Sequence, residues 1–308
     1  MTFPPQSSSP TFVLAMDFPT FLIQCLNAVQ YGLLLFLVAS GLTLIFGIMG
    51  VINLAHGSFY MLGAYLAYGL APLVEKYLGG GFFTTLVIGV VLAVAFGYLL
   101  EWVFFSYLYE REHLQQVLMT YGLILVFEEL RSIIVGDDVH GVAMPDWLSG
   151  SFPLSDVMTY QYYRLFISVV CAVVALALWA VMTKTRLGMR IRAGATNREM
   201  VQALGIPIRF LYRVVFATGV GLAALAGLVA APVSSVYPGM GNQVLIISFV
   251  IVVIGGIGSI RGAFVAALLV GVVDTFGKVL IPSLAGMLVY LLMAVMLLWK
   301  PEGLFKAG

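Results

Sequence analysis

Charge is what this sequence has least of. Only 9% of its 308 residues are Asp, Glu, Lys or Arg, against about 25% in an ordinary soluble domain. So few charges cannot dress the surface of a water-soluble globule, and a soluble enzyme is excluded. Fifteen cations and fourteen acids leave a formal charge of +1 with no long basic tract, so the chain is not a nucleic-acid binder. Cysteine is scarce too. Cys25 and Cys171 sit inside apolar runs and read as small core hydrophobes, not as a disulfide framework. His56, His113 and His140 are scattered, and no Cys/His cluster has metal-ligand spacing. The sequence also lacks G-x-x-x-x-G-K-[ST], H-E-x-x-H and G-x-S-x-G. It has no nucleotide-binding loop of its own, and an enzyme reading has no residues to stand on.

What is abundant is apolar. Hydrophobic residues make up 62% of the chain, and mean hydropathy is +1.06. At about 20 residues per span this fills eight or nine membrane helices. The apolar runs are 20–48, 51–71, 84–108, 114–135, 161–182, 214–236, 243–258, 262–281 and 284–299. Asn53, His56 and Gly57 interrupt the second, and the seventh is short and ends in Gly255-Gly256-Ile257-Gly258. The expected fold is therefore an all-α, polytopic transmembrane bundle. It has about eight spans, nine at most, with one or two broken or re-entrant helices. Residues 1–19 start polar and Pro/Ser-rich with no basic n-region, so they read as a disordered leader and not a signal peptide. A single membrane domain is expected over 20–304.

Cations set the sidedness. The stretch 183–213 holds Lys184, Arg186, Arg190, Arg192, Arg198, Arg209 and Arg213 against one acid, Glu199. It is expected inside. The connection 136–160 carries Asp137, Asp138, Asp146 and Asp156 and no Lys or Arg. It is expected outside. Counting outward puts Arg111 inside, the N-terminus outside, and the C-terminal tail with Lys300 and Lys306 in the cytoplasm. Small residues recur every fourth position at Gly219, Ala223, Gly227 and Ala231, and again at Ala263, Ala267 and Gly271. Such ridges let helix backbones approach closely in lipid. A weak internal echo pairs His56-Gly57-Ser58-Phe59 with Arg261-Gly262-Ala263-Phe264. Broken helices in matching positions point to a transport site.

Two constellations carry chemistry. In the cytoplasmic stretch, Thr196-Asn197-Arg198-Glu199 fits a capping box opened by Thr196, and Gly205 and Pro207 stop the helix that the box starts. This predicts a short helix over 196–204 whose apolar positions are Met200, Val201 and Leu204. So short a helix is marginal alone in water. It either docks on a partner or folds back on the bundle as an ordinary positive-inside loop. The second constellation runs from Gly47 to Ser58. Polar groups within a membrane run are expensive and mark function, and Gly50 and Gly57 let the backbone unwind there. Asn53, His56 and Ser58 would suit a small zwitterion or neutral amide. Glu128 with Arg131 and Asp274 with Lys278 are spaced for local ion pairs. Glu101 has no such neighbour. It either pairs with a distant Arg or serves an ion-coupled secondary transporter, which is the alternative class.

Residues 41–57, ending Asn53-Leu54-Ala55-His56-Gly57, resemble the signature of the branched-chain amino acid permease family of ATP-binding-cassette importers. Three further stretches are similar to that family. They are Tyr121-Gly122-Leu123 leading to Phe127-Glu128-Glu129, Arg186-Leu187-Gly188 through Leu204-Gly205-Ile206, and Gly255-Gly256-Ile257-Gly258-Ser259-Ile260-Arg261-Gly262-Ala263. The resemblance covers about 20–304. It implies a non-catalytic permease subunit of the bacterial inner membrane. Its partners would be a second related permease, two cytoplasmic ATPases that bind ATP and Mg, and a periplasmic substrate-binding protein. Family members carry leucine, isoleucine and valine, other amino acids, urea or short amides. The implied substrate path comprises Asn53, His56, Gly57, Ser58, Gly255, Gly256, Gly258 and Ser259. The implied ATPase-coupling segment is 183–209, with Arg186, Gly188, Arg190, Arg192, Thr196, Asn197, Glu199, Met200, Val201, Leu204 and Gly205. The sequence departs from the family at Ser58, where many members have an acid, and at Met189, where a further Arg is common.

Overall fold

The computed structural model describes residues 17–109, 111–154 and 158–305. The leader expected over 1–19 lies outside the described residues as far as position 16, while Phe18 and Pro19 already form the first turn of a helix. Asp156 and Lys306 also lie outside them.

Eleven α-helices run through the described residues, and each of the nine apolar runs becomes one of them. They are α1 (Phe18–Met49), α2 (His56–Leu78), α3 (Phe82–Val103), α4 (His113–Val135), α5 (Tyr162–Lys184), α6 (Arg186–Thr196), α7 (Arg198–Ala203), α8 (Ile208–Ser234), α9 (Met240–Gly255), α10 (Ile260–Leu280) and α11 (Ala285–Trp299). Six elements are long and apolar enough to cross a bilayer: α1, α2, α3 with the turn after it, α5, α8 and α10. The apolar helices α9 and α11 are shorter, at 16 and 15 residues. α4 has the length, 23 residues, but Glu128, Glu129 and Arg131 lower its hydropathy. The result is a multi-pass helical membrane protein.

Between α4 and α5 stands a two-stranded antiparallel hairpin, β1 (Ser151–Pro153) on β2 (Thr159–Gln161), with Phe152 opposite Tyr160. It belongs to the acidic connection, which α5 separates from the cationic stretch by one span.

α8 is the axis of the bundle, packed by α1, α2 and α3. The small-residue ridge explains how. A Cβ placed on Gly227 would lie 2.0 Å from the Tyr60 carbonyl oxygen, and one on Gly63 2.0 Å from that of Ala224. Backbone meets backbone here, so any side chain would push α2 off α8. The second ridge does the same for α10 on α1: a Cβ on Gly271 would lie 2.6 Å from the Ala28 carbonyl oxygen. Both ridges are therefore packing surfaces.

The chain breaks twice where the sequence has its glycines. α1 ends at Gly50, which takes the left-handed conformation at φ 64° and donates its N–H to Phe46 O. Residues 50–55 are not helical, and α2 starts only at His56. The His56 ring meets the carbonyl of Val38, eleven residues back along α1, or about 16 Å at helical rise. The segment 50–55 therefore runs back beside α1, and α2 begins deep inside the bundle. Non-helical backbone at such depth is tolerated only where protein covers it. Val51, Asn53, Ala55 and His56 are all buried.

Candidate functional site

The interior break holds the polar cluster. Asn53 and His56 are both 0% exposed and Ser58 is nearly so. Asn53 Oδ1 accepts the Ala55 N–H at 3.1 Å, an Asx turn that leads into α2. His56 Nε2 lies 2.9 Å from Val38 O. A carbonyl only accepts, so Nε2 carries the proton and Nδ1 is an acceptor. Neither His56 Nδ1 nor Asn53 Nδ2 has a hydrogen-bond partner among the described residues. One unmet acceptor and one unmet donor thus stand three residues apart in the chain, on either side of the turn that opens α2. Gly57 is pressed against the first turn of α9, where a Cβ would lie 2.1 Å from Gly241 O. The N-terminal ends of α2 and α9 therefore meet inside the bundle.

Of the expected path residues, Ser58 opens on a cavity. This space of about 420 Å³ lies between α2, α3 and α4 and is lined by Ser58, Phe59, Met61, Leu62, Tyr65, Leu66, Gly69, Phe96, Phe127, Leu130, Arg131, Ile134 and Val135. Its wall is apolar apart from Ser58, the Tyr65 hydroxyl and the Arg131 guanidinium. Arg131 is held by Glu128 at 3.2 Å, by the Gly136 carbonyl at 2.7 Å and by Asp137 at 2.9 Å. The Arg131 N–H bond holds the Asp137 carboxyl below its ordinary range.

Gly255, Gly256, Gly258 and Ser259 form a different feature. They make the corner between α9 and α10, and Ser259 caps α10 by accepting the Gly262 N–H at 3.1 Å. The Leu304 and Phe305 N–H groups bond Ile254 O at 2.8 Å and Gly255 O at 3.1 Å, so a C-terminal strap closes the corner. A Cβ on Gly256 would lie 2.1 Å from Phe305 O. The corner packs on Gly47 of α1, nine residues from Val38 and so roughly 13 Å closer to the end of that helix. The two groups of expected path residues lie at different levels, and the structure does not bring them together.

The cationic stretch 183–213 also differs from expectation in its detail. It is two helices, not one. α6 is capped by Thr185, whose Oγ1 accepts the Gly188 N–H at 3.1 Å. Gly188 is obligatory at this bend, since a Cβ would lie 2.4 Å from Met182 O. Gly188, Ile191 and Gly194 face the bundle, while Arg186, Arg190 and Arg192 are exposed. Thr196 closes α6 and donates its hydroxyl to Arg192 O at 3.0 Å. The cap of α7 is Asn197, whose Oδ1 accepts the Met200 N–H at 3.0 Å. The expected reciprocal box of Thr196 and Glu199 is therefore replaced by a single Asn197 cap, and the exposed Glu199 stands in the first turn of α7. Gly205 ends α7 at φ 77°, as expected. Met200 and Leu204 are 58% and 71% exposed, but Val201 turns inward at 3%. The free apolar face is Met189, Met200 and Leu204, not the stripe containing Val201.

Glu101 does not stand alone. Its Oε2 lies 3.1 Å from Arg213 Nε, and Tyr109 donates its hydroxyl to Oε1. Burial, and then this carboxylate, hold the Tyr109 hydroxyl well above its ordinary range. Asp274 and Lys278 pair at 2.6 Å as their spacing implies. Arg213→Ala is expected to lower the unfolding temperature by several degrees in detergent, because it strands a buried carboxylate. Glu101→Gln in the same background should restore most of that loss.

A family model for the permease component of a branched-chain amino acid transport system matches residues 24–298. The high-affinity branched-chain amino acid transport system permease protein BraD of Pseudomonas aeruginosa is 30% identical over 295 residues, covering 92% of this chain and 95% of that protein. The corresponding permease protein LivH of Escherichia coli K12 is 27% identical over 301 residues, covering 94% and 97%. LivM of the same strain is 27% identical over 296 residues, covering 86% of this chain and 66% of that protein.

Proposed function

The chain belongs to the branched-chain amino acid transport permease family, and from that premise we propose that it is the membrane-spanning subunit of an ATP-driven importer of branched-chain amino acids in the bacterial inner membrane. The observation that carries the reading is a pairing of presence and lack. A family match spans residues 24–298, while the sequence has no nucleotide-binding loop. Energy must come from elsewhere, and two cytoplasmic ATPases that hold ATP and Mg would supply it. The chain itself is non-catalytic. Similarity to both LivH and LivM, two permease proteins of one strain, supports a second related permease as partner. A periplasmic binding protein delivers substrate to the acidic side.

The cavity beside Ser58 suits such a cargo. Its volume falls within the usual range for small-ligand sites, its aliphatic wall matches a branched side chain, and Ser58 offers a polar contact. Asn53 and His56 sit behind it, where the backbone is unwound. The α6–α7 hairpin is the coupling element, with Met189, Met200 and Leu204 in a groove of the ATPase and the exposed arginines on its rim. It is joined to α5 through the Thr185 cap and to α8 through Pro207. A push on it therefore reaches α8, and through α8 the helix break on α2.

The test is functional. The purified chain should bring down an ATPase. Uptake of labelled leucine should stop with vanadate and persist with a protonophore while ATP is held up. The reverse pattern would return the ion-coupled reading. Sidedness has its own check: in whole cells, an impermeant thiol reagent should reach Ser149→Cys and not Thr196→Cys, two exposed positions at opposite ends of α5. Labelling of the second alone would invert the topology and with it the placement of the ATPases.

A further inference from the structure

Three arginines line one cavity that lies apart from the Ser58 cavity and the Met189–Met200–Leu204 face. Arg111, on the connection between α3 and α4, shares a space of about 560 Å³ with Arg209 and Arg213 at the start of α8, and with Trp102, Ser106 and Tyr107. Arg213 is partly neutralised by Glu101. Arg111 and Arg209 form no ion pair among the described residues. Among the described residues the cavity therefore carries a surplus of positive charge, with two guanidinium groups that have no ion-pair partner there.

Its level in the bilayer can be read from α3. Trp102 stands twenty residues beyond Phe82, about 30 Å at helical rise, which is one hydrocarbon thickness. Up to that point α3 turns Val87, Val91, Tyr98 and Leu99 outward. At it, Trp102 and Tyr107 are 56% and 72% exposed, as aromatic residues are at the headgroup level. Val103, Phe104 and Phe210 are exposed close by in sequence. A cationic cavity thus opens at the edge of an apolar wall. A soluble acidic loop has no use for the exposed Phe and Val residues, whereas acyl chains do.

We propose that this cavity binds the phosphate of an anionic phospholipid. The guanidinium groups of Arg111 and Arg209 fork onto the phosphate oxygens, Trp102 and Tyr107 pack on the glycerol, and the acyl chains lie along α3. Basic pockets between membrane helices take such headgroups. Arg209 lies in the first turn of α8, directly after the α6–α7 hairpin, so the lipid would brace the element next to the hairpin.

Native mass spectrometry of the full-length chain in mild detergent tests this, with phosphatidylglycerol or phosphatidylcholine added at equal concentration. Wild type should retain phosphatidylglycerol preferentially and gain thermal stability from it alone. Arg111→Gln with Arg209→Gln should lose that retention roughly thirtyfold, two charges' worth of headgroup attraction. Arg111→Lys with Arg209→Lys should keep much of it. Glycerol 3-phosphate at matched concentration should not displace the lipid. Equal retention of the two lipids by wild type, or preference unchanged in the Gln variant, would overturn the proposal. So would displacement by glycerol 3-phosphate, which would make this a site for soluble phosphates. Loss of a co-purified ATPase from the Gln variant with lipid preference intact would make it a protein contact instead. The wild-type stability comparison stands even if the Gln variant fails to fold.

Discussion

Replacing Met200 and Leu204 together by aspartate is expected to leave the permease inserted in the membrane, yet abolish both substrate-stimulated ATP hydrolysis and uptake. The two side chains are the exposed apolar tips of α7, and they make no packing that the bundle needs. On the proposed function they are the apolar anchors of the ATPase contact, and an interface centre loses about 2 kcal/mol or more when its apolar anchor is removed. Aspartate adds a desolvation cost, so ATPase affinity should fall by well over tenfold. Val201→Asp is the informative contrast. That side chain packs into the bundle, so its replacement should lower the yield of folded permease. If the double aspartate variant still shows full stimulation with the partner ATPase present, the α6–α7 hairpin is no lever and reverts to a cationic loop.

Gly63→Ala should be among the most damaging single methyl groups in the transmembrane region. Its Cβ would fall 2.0 Å from Ala224 O and 2.6 Å from Ala224 Cα, both backbone atoms on the axial helix, and neither can yield by changing rotamer. Overpacking of this kind costs about 1–3 kcal/mol and at times more. Gly69→Ala, six residues along the same helix, meets nothing within 4 Å and should gain up to about 1 kcal/mol from helix propensity. The same chemical change on one helix thus has opposite expected signs. Size-exclusion profiles and unfolding temperatures of the two variants in detergent decide it, and equal behaviour would mean that α2 and α8 do not cross at Gly63 and Ala224.

Much of the architecture is legible in the residues because the bilayer makes hydropathy a strong signal. The nine apolar runs, the break before His56 and the short α9 all arise from local composition. The cap of α7 is harder. Thr196 and Asn197 are adjacent and both are good capping residues, and Asn197 takes the role because α6 extends as far as Thr196. The inward turn of Val201 is hidden for a related reason. It lies about 100° around the helix from Met200, and only the bundle beneath decides which of the two is covered. Contacts between residues far apart in the chain are not legible at all. The partner of Glu101 is 112 positions away. The strap over the α9–α10 corner and the gathering of Arg111 with Arg209 and Arg213 likewise depend on how helices are arranged, which no local pattern encodes. The polar cluster falls between these cases: its type and burial can be read, but not that the Val38 carbonyl holds His56.

The axial position of α8 has a consequence for biosynthesis. Gly63 awaits a partner, Ala224, that leaves the ribosome about 160 residues later. Until then α1, α2 and α3 sit in the bilayer with their small-residue grooves filled only by lipid. Assembly of the centre is therefore a late event, and before it the helices made first have chiefly the smaller α2–α3 contact to hold them together. A nascent chain stalled before residue 208 should be fully inserted and still open to protease and to crosslinking with lipid. Compaction should begin once α8 enters, because α8 completes three helix contacts together, and finish when α10 packs on α1.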